Sequence, residues 1–245
     1  MESVIRVLPY AVADGPTNMA ADEALVHSAA AGVASLRSYG WTEATLSLGY
    51  FQPSAIRLSD PRLANLPWVR RPSGGATLVH HHELTYCLAL PAGAPWQTGQ
   101  AWMPRMHRII TLALAELGLA GQIEPVRDGP IQHGDVLCFQ QHTPGDLLIG
   151  HSKMVGSSQR KYRQALMQHG SILIAQSEHT PLLPGIREVT GVTLLPLQIH
   201  NATIKAFAAE TGWPLCSDDW TEEENASIEE LVSAKYSAAA WNEKR

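Results

Sequence analysis

The order of its predicted strands and helices limits most strongly how this chain of 245 residues can fold. Many short segments with strand-like hydrophobicity come early, and two helical segments close the chain. Strands and helices do not alternate regularly, which argues against a doubly wound nucleotide-binding sheet. The pattern therefore predicts an α+β fold, in which a mixed β-sheet carries flanking helices.

Local signals place the individual elements. Thr17 is the predicted N-cap of the first helix, since its hydroxyl can satisfy a free backbone N–H group. The second helix is expected to end at Gly118, and Thr221 and Glu224 have the spacing of a capping box. The helices are predicted over 19–26, 106–117, 202–211 and 222–236, and the strands over 4–8, 36–39, 45–51, 68–71, 77–80, 84–90, 135–139, 147–149, 153–155 and 171–174.

Composition and charge narrow the classes of function. The chain is 45% hydrophobic and 17% charged, like ordinary soluble globular proteins, and its formal net charge of −5 gives no general attraction to nucleic acid. A local basic cluster of Arg160, Lys161 and Arg163 is expected either to meet an acidic partner or to be a solvated surface. The sequence lacks a signal peptide and any apolar run near the roughly 18 residues of a membrane span. These features predict a cytoplasmic protein that binds neither membrane nor nucleic acid.

The cysteines point to chemistry rather than to cross-linking. The chain has three, without any CxxC pair, so neither a disulfide framework nor a zinc knuckle is supported, and a reducing compartment fits best. Cys138 stands fifteen residues before Lys153. A thiolate is a nucleophile, and a nearby ammonium group favours the thiolate form. A buried cysteine is more often an inert packing residue. Cys138 is therefore a candidate for covalent acyl transfer on the condition that the fold places Lys153 beside it.

The segment RRPSGG, which begins at Arg70, has the composition of a ligand-binding turn. Gly74 and Gly75 allow close backbone approach, Ser73 adds a hydroxyl, and an arginine can donate charge-assisted hydrogen bonds. Such a turn could bind a phosphate or an acyl carbonyl. The alternative is a plain turn between a pair of flanking strands, because glycine and serine are common in turns.

Three consecutive histidines, His80 to His82, raise the question of a metal site. Adjacent residues of a strand point to opposite faces, so the three cannot all reach one ion from regular structure. No cysteine or carboxylate set completes a site at the usual ligand spacing. The sequence therefore predicts no metal, with one of these histidines facing a pocket and the others at the surface or in packing contacts.

Two further segments carry candidate polar groups. Lys153 is followed by Gly156 and Ser157, and a lysine among apolar strand residues can keep its charge by facing a carbonyl or an anion. The alternative is an exposed lysine at a strand end. His169 and Gly170 precede another predicted strand, where the glycine lets a backbone or a ligand approach. By itself, His169 is more often structural than catalytic.

Five segments together resemble the lipoate–protein ligase A family of the biotinyl/lipoyl protein ligase superfamily. They occur in the family's order, and Cys138 followed by Lys153 resembles the cysteine-dependent octanoyltransferase branch. One departure from the family pattern is Ala76 and Thr77 after Gly75, where the family usually has a bulkier or basic residue. This difference affects the shape of the pocket near Gly75. The segments are NMAADE (18–23), LSLGYFQ (46–52), RRPSGG (70–75) with His80 and ELTY (83–86), KMVGSSQ (153–159) and HGSIL (169–173).

The resemblance implies one class II aminoacyl-tRNA synthetase/biotin-ligase-like catalytic domain over 1–245, without a C-terminal accessory domain. It implies an octanoyltransferase that moves octanoyl from acyl carrier protein, through a Cys138 thioester, to the lipoyl-domain lysine of a target protein. A glycine cleavage H protein or a 2-oxoacid dehydrogenase component is the expected target. Two alternatives stay open: an ATP- and Mg-dependent lipoate–protein ligase that forms a lipoyl-adenylate, and a non-catalytic member that only binds acyl or lipoyl partners.

The resemblance also assigns roles to residues. Cys138 is the expected nucleophile, and Lys153 is the expected cation beside it. A transferase of this kind is expected to need no cofactor and to act as a monomer. The expected substrate-binding residues are Arg70, Ser73, Gly74, Gly75, His80, Gly156, Ser157, His169 and Gly170.

Overall fold

The computed structural model describes residues 3–97, 99–127, 137–162 and 164–245, so Arg163 of the predicted basic cluster lies outside it. The described strands are β1 Ile5–Val7, β2 Ala11–Ala13, β3 Ser35–Trp41, β4 Thr45–Leu48, β5 Trp68–Arg70, β6 Leu78–His80, β7 Glu83–Pro91, β8 Ile123–Pro125, β9 Leu147–Ile149, β10 Ser152–Lys161, β11 Ala165–Leu173 and β12 Leu215–Ser217. Nine of them form a sheet in the order β12-β1-β3-β7-β11-β10-β9-β8, with β2 beside β3, and β5-β4-β6 form a second sheet. Parallel and antiparallel pairs both occur, which confirms the predicted mixed sheet.

Helices cover both faces of the large sheet. They are α1 Gly15–Ala30, α2 Pro61–Ala64, α3 Trp102–Leu114, α4 Ile186–Thr190, α5 Pro196–Thr211, α6 Glu222–Leu231 and α7 Ala239–Asn242, with 3₁₀ turns at Ser54–Leu58 and Cys138–Gln140 and π turns at Ala115–Leu119 and Val232–Tyr236. The α1 helix packs on one face, and α3 and α5 pack on the other. Across the described ranges, no helix has the length and apolar character needed to cross a membrane.

The strand β7 lies near the middle of the large sheet and is buried throughout. Its even-numbered residues from Leu84 to Leu90 pack towards α3 and α5, whereas Cys87 and Ala89 pack towards α1. The predicted strand over 84–90 is confirmed, and its residues alternate between two packed faces because successive side chains of a strand point to opposite faces. A strand covered on both sides is a rigid support for polar groups at its end.

The first helix begins earlier than predicted. Its N-cap is Asp14 rather than Thr17, since the Asp14 side chain accepts a hydrogen bond from the Thr17 backbone N–H at 2.9 Å. Pro16 stands in the first turn, where its missing N–H group costs nothing. The prediction at Thr17 was wrong because an aspartate upstream of a proline is the stronger start signal.

The predicted pairing of the strands at 68–71 and 77–80 is also wrong. Both β5 and β6 pair with β4, which lies between them, so the RRPSGG segment crosses from one edge of the small sheet to the other. The strand predicted over 45–51 ends at Leu48. The next residue is Gly49, which lies directly against the carbonyl group of Gly75, where any Cβ atom would collide with the oxygen.

Three predicted strands near the candidate residues differ in the structure. Cys138 lies in a 3₁₀ turn rather than in a strand, and residues 135 and 136 of that prediction lie outside the described ranges. The strand β11 already begins at Ala165, so His169 and Gly170 lie inside it rather than before it. The strand predicted over 153–155 continues to Lys161.

The predicted capping box in front of α6 is present and can be tested. The Thr221 hydroxyl accepts from the Glu224 N–H, and the Thr221 N–H donates to the Glu224 carboxylate, both at 3.1 Å. Because Thr221 is exposed, Thr221→Ala removes the cap without opening a cavity. We expect it to lower the free energy of unfolding by about 1 kcal/mol in urea denaturation. Thr221→Ser keeps the hydroxyl and is the control; equal losses in both variants would contradict the capping role.

Candidate active site

A cavity of about 420 Å³, with mostly apolar walls, lies where the small sheet meets β7, β10 and β11. Arg70, Ser73 and Gly74 do not line it, although the sequence predicted them for the site. The other predicted residues line it together, namely Cys138, Lys153, Gly75, His80, Gly156, Ser157, His169 and Gly170. Segments far apart in the chain therefore meet at one cavity.

The fold places Lys153 beside Cys138. Lys153 Nζ lies 3.8 Å from Cys138 Sγ, 3.4 Å from the Cys138 carbonyl oxygen and 3.3 Å from the Gln141 carbonyl oxygen. The Cys138 N–H donates to the Thr77 carbonyl at 2.7 Å, which ties the turn to the small sheet. One ammonium group therefore holds the thiol's own loop and also supplies positive charge next to the sulfur.

Asp146 belongs to the same site, and the sequence analysis missed it. Its Oδ2 atom lies 2.7 Å from Lys153 Nζ, and both side chains are almost wholly buried. The same oxygen accepts from the Thr143 N–H at 2.7 Å and from the Thr143 hydroxyl at 2.8 Å. These donors offset the cost of burying the carboxylate, which an ion pair alone often fails to do.

A tight turn aims Asp146 at the lysine. The Asp146 N–H donates to the Thr143 carbonyl, and Pro144 and Gly145 fill the two central positions. Gly145 has a φ of +95°, which the third position of a type II turn requires and which glycine adopts without strain. The Pro-Gly pair was the sequence signal that could have located this turn and, after it, the carboxylate.

The two arginines of the RRPSGG segment have different surroundings. Arg70 is fully buried away from the cavity, and its guanidinium donates to the backbone carbonyls of Gly49, Gln52 and Asn242. Arg71 lines the cavity, and it is close enough to Cys138 for the two groups to interact electrostatically. Burial lowers the pKa of Arg71. The cavity therefore contains the second arginine of the segment rather than the predicted first one.

The remaining residues of that segment support the site from behind. Ser73 Oγ lies 2.5 Å from His169 Nε2, and the Gly74 carbonyl accepts hydrogen bonds from Arg71 and from Ser158. Gly75, with a φ of +95°, turns the backbone into the cavity wall. The positive φ explains why the last residue of the segment is glycine.

His169 joins the cavity to a buried carboxylate on α1. Its Nδ1 atom lies 3.0 Å from Asp22 Oδ2, which also accepts a hydrogen bond from the Tyr39 hydroxyl at 2.9 Å. Arg37 lies 3.5 Å from the other oxygen of Asp22. Asp22 belongs to the NMAADE segment, but no local pattern predicts that it lies behind the cavity.

Of the three consecutive histidines, His80 faces the cavity as predicted. It is held on both ring nitrogens, by Glu83 at 2.7 Å and by Ser47 at 2.8 Å, and its ring stacks on Trp41 at 3.9 Å between centroids. These contacts leave the imidazole little freedom to turn.

The other two histidines lie outside the cavity, in the turn between β6 and β7. The side chains of His81 and His82 stack with ring centroids 3.6 Å apart, and their donor atoms lie within 4.8 Å of one another and of a Glu178 carboxylate oxygen. The sequence could not show this approach because Glu178 is nearly one hundred residues away. The group is partly exposed and shares no residue with the cavity.

Two glycines on neighbouring strands make room for the polar groups. A Cβ atom on Gly156 would lie 2.6 Å from Lys153 Cε and 3.0 Å from its Nζ. A Cβ atom on Gly170 would collide with Ser157 Oγ and lie 2.8 Å from the Tyr86 ring. Each position therefore needs a glycine, because a side chain there would collide with a neighbouring residue. The sequence only suggested a close approach at these positions.

Comparisons with known proteins agree with this geometry. The profile of the Lipoyl protein ligase A/B catalytic domain matches residues 14–180. The octanoyltransferase LipM of Symbiobacterium thermophilum is 30% identical, and the alignment covers 99% of each chain.

Solved structures agree on the fold. A lipoate-protein ligase A with bound ATP has a TM-score of 0.77 at 20% identity, with 99% of each chain covered. The bi-partite lipoate protein ligase of Thermoplasma acidophilum has a TM-score of 0.75 at 19% identity, covering 99% of this chain and 96% of its own. At these identities the likeness shows a lipoate-ligase-like mixed α/β architecture, as the sequence predicted.

The three thiols allow a direct test of the site's electrostatics. Cys87 is fully buried, and burial raises its pKa, while Cys216 is exposed. We expect iodoacetamide at neutral pH to modify Cys138 and Cys216 in the native protein and to spare Cys87, as read by peptide mapping. Lys153→Met should slow alkylation of Cys138 severalfold because it removes the adjacent cation. Cys216 is the internal control, and equal Cys138 rates in both proteins would contradict the pairing.

Proposed function

The chain belongs to the Lipoyl protein ligase A/B catalytic domain family, and on that premise we propose that it is an octanoyltransferase of protein lipoylation that carries octanoyl on Cys138. The observation that carries the proposal is the Cys138 thiol in an apolar cavity, 3.8 Å from the buried Lys153 ammonium. The full-length likeness to octanoyltransferases of the LipM type supports it. These contacts match what a covalent acyl carrier needs, namely a nucleophile, an adjacent cation and a dry volume for the chain.

In the first half-reaction, the Cys138 thiolate attacks the thioester carbonyl of an octanoyl carrier protein. A new bond forms between sulfur and carbonyl carbon, and the bond to the carrier's sulfur breaks. The carrier leaves as a thiolate, so one thiolate replaces another. Lys153 and Arg71 supply positive charge where the sulfur and the carbonyl oxygen carry negative charge, which stabilises the transition state more than the ground state.

The cavity selects the acyl group. Its mostly apolar walls bury the hydrocarbon chain, and each buried methylene contributes about 0.8 kcal/mol, so chain length affects binding strongly. The backbone N–H groups around Gly75 and Gly156 are the proposed donors to the acyl oxygen. His80 and His169 are held rigidly at the cavity wall and shape it.

In the second half-reaction, the lysine amine of a lipoyl domain attacks the Cys138 thioester. The products are an amide on the acceptor and a free thiolate beside Lys153. The proposed donor is octanoyl–acyl carrier protein, and the proposed acceptors are a glycine cleavage H protein or a 2-oxoacid dehydrogenase component. We propose that the protein acts in the cytoplasm as a monomer and needs no cofactor for this transfer, because the thioester already activates the acyl group.

Intact-protein mass spectrometry after incubation with octanoyl–acyl carrier protein, without ATP, tests this function. We expect a mass gain of one octanoyl group that hydroxylamine removes, because hydroxylamine cleaves thioesters. Cys138→Ala should abolish both the adduct and transfer to a lipoyl domain. Cys216→Ala, which removes an exposed thiol far from the cavity, should leave both unchanged.

Two outcomes would contradict the proposal. If no adduct forms and lipoate with ATP instead modifies the acceptor, the chain is an ATP-dependent ligase, and Cys138→Ala should spare that activity. If neither donor leads to turnover, the chain is a non-catalytic member of the family.

A further inference from the structure

A third hydroxyl–imidazole pair lies at the cavity, and the sequence analysis did not find it. Ser157 lines the cavity from β10, and its Oγ atom lies 2.6 Å from Nε2 of His107 on α3. His107 is buried, at 3% exposure, so it reaches the cavity only through this hydroxyl. Nothing in the local sequence of α3 distinguishes His107 from a packing residue.

The hydrogen bonds around the pair have a defined direction. His107 Nδ1 lies 2.5 Å from the Gly145 carbonyl oxygen, which can only accept, so Nδ1 carries the proton. Burial lowers the pKa of His107, so the ring is neutral near pH 7 and Nε2 has a free lone pair. The Ser157 hydroxyl therefore donates to Nε2.

The neighbouring strand completes this arrangement. Tyr86 accepts a hydrogen bond from the Gln168 amide at 2.8 Å, which leaves its own hydroxyl proton for Ser157 Oγ at 2.7 Å. The contact crosses over Gly170, where a side chain would fill the space that Ser157 Oγ occupies. Ser157 is thus fixed by two partners and has a lone pair left for a ligand.

The pair lies at the same cavity as the reacting atoms. Ser157, Lys153 and Cys138 all line that cavity, and His107 is close enough to the Lys153 ammonium to interact with it electrostatically. That ammonium is itself 3.8 Å from Cys138 Sγ. An amine that attacks an acyl group on Cys138 would therefore approach beside the Ser157 hydroxyl.

The other polar groups at the cavity are less suited to accept a proton. Lys153 is an ammonium paired with Asp146. His80 and His169 each contact a carboxylate on one ring nitrogen and a serine on the other, but those serines, Ser47 and Ser73, do not line the cavity. Of these groups, only His107 contacts a hydroxyl that itself faces the cavity.

We propose that Ser157 and His107 form a proton relay that accepts the proton of the attacking amine in the second half-reaction; this inference rests on the proposed octanoyl transfer. Nitrogen bonds to the carbonyl carbon, its proton passes to Ser157 Oγ, and the Ser157 proton passes to His107 Nε2. The carbon–sulfur bond then breaks and leaves the Cys138 thiolate beside Lys153. His107 afterwards releases its proton to water. Ser157 touches the amine, and His107 acts through it.

The relay is specific to one half-reaction. Acylation of Cys138 exchanges one thiolate for another and needs no proton acceptor, whereas attack by an amine does. Loss of the relay should therefore slow transfer to the acceptor and leave acylation unchanged. A purely structural role would slow both.

The test uses enzymes first acylated with octanoyl–acyl carrier protein and then mixed with a lipoyl domain in a rapid-quench experiment. Ser157→Ala and His107→Gln should slow the transfer step by about 100-fold or more, the usual contribution of general base catalysis. Glutamine can keep hydrogen bonds to Gly145 and Ser157 but cannot accept the proton. Ser152→Ala removes a hydroxyl of the same strand that does not line the cavity, and it should transfer at the wild-type rate.

The pH profile gives a second readout. His107 must be neutral, so the rate ratio of wild type to His107→Gln should be largest near neutral pH and fall as acid protonates His107. Asp146 opposes and Lys153 reinforces the effect of burial on the pKa of His107, and Tyr86 faces the pair from β7. Normal transfer in both variants, a ratio independent of pH, or an equal loss of acylation would overturn the relay. Failure of wild-type acylation would instead overturn the proposed function.

Discussion

The ion pair between Lys153 and Asp146 is the interaction on which the cavity depends. At 2.7 Å and almost wholly buried, it joins β10 to the loop that carries Cys138. Removing one partner of such a pair typically costs about 3–5 kcal/mol, because the other charge stays buried without a counterion. The same lysine also donates to two carbonyls of the Cys138 loop, so the position of the sulfur and its positive surroundings have one common cause.

The walls behind this pair are rigid because their polar groups are satisfied by partners from several elements. Asp22 on α1, His169 on β11 and Ser73 between β5 and β6 form one hydrogen-bonded series, and Glu83 holds His80 in another. A preorganised polar site needs no rearrangement when charge develops during a reaction. The family likeness and this geometry together favour covalent acyl transfer over simple binding of an acyl group.

The sequence predicted the mixed sheet and the strand over 84–90, and the family resemblance implied Lys153 as the cation beside Cys138, because hydrophobic periodicity and motif order report directly on these features. It did not predict Asp146 or His107. Their roles depend on which side chains a turn and a helix bring together across space. The Pro-Gly pair marks the turn before Asp146, but no local pattern marks His107. The sequence analysis named Arg70, whereas Arg71 lines the cavity. Which of two neighbouring residues faces the cavity depends on how the short segment joins its strand, and no local pattern shows that.

A crystal structure of the protein after reaction with octanoyl–acyl carrier protein, without acceptor, tests the central claim most directly. The account predicts continuous density from Cys138 Sγ into the cavity, with the acyl oxygen near Lys153 and the hydrocarbon chain against the apolar walls. Two results would contradict it. One is a free Cys138 thiol with octanoyl bound elsewhere, and the other is a free Cys138 thiol and an empty cavity in protein that has consumed the donor.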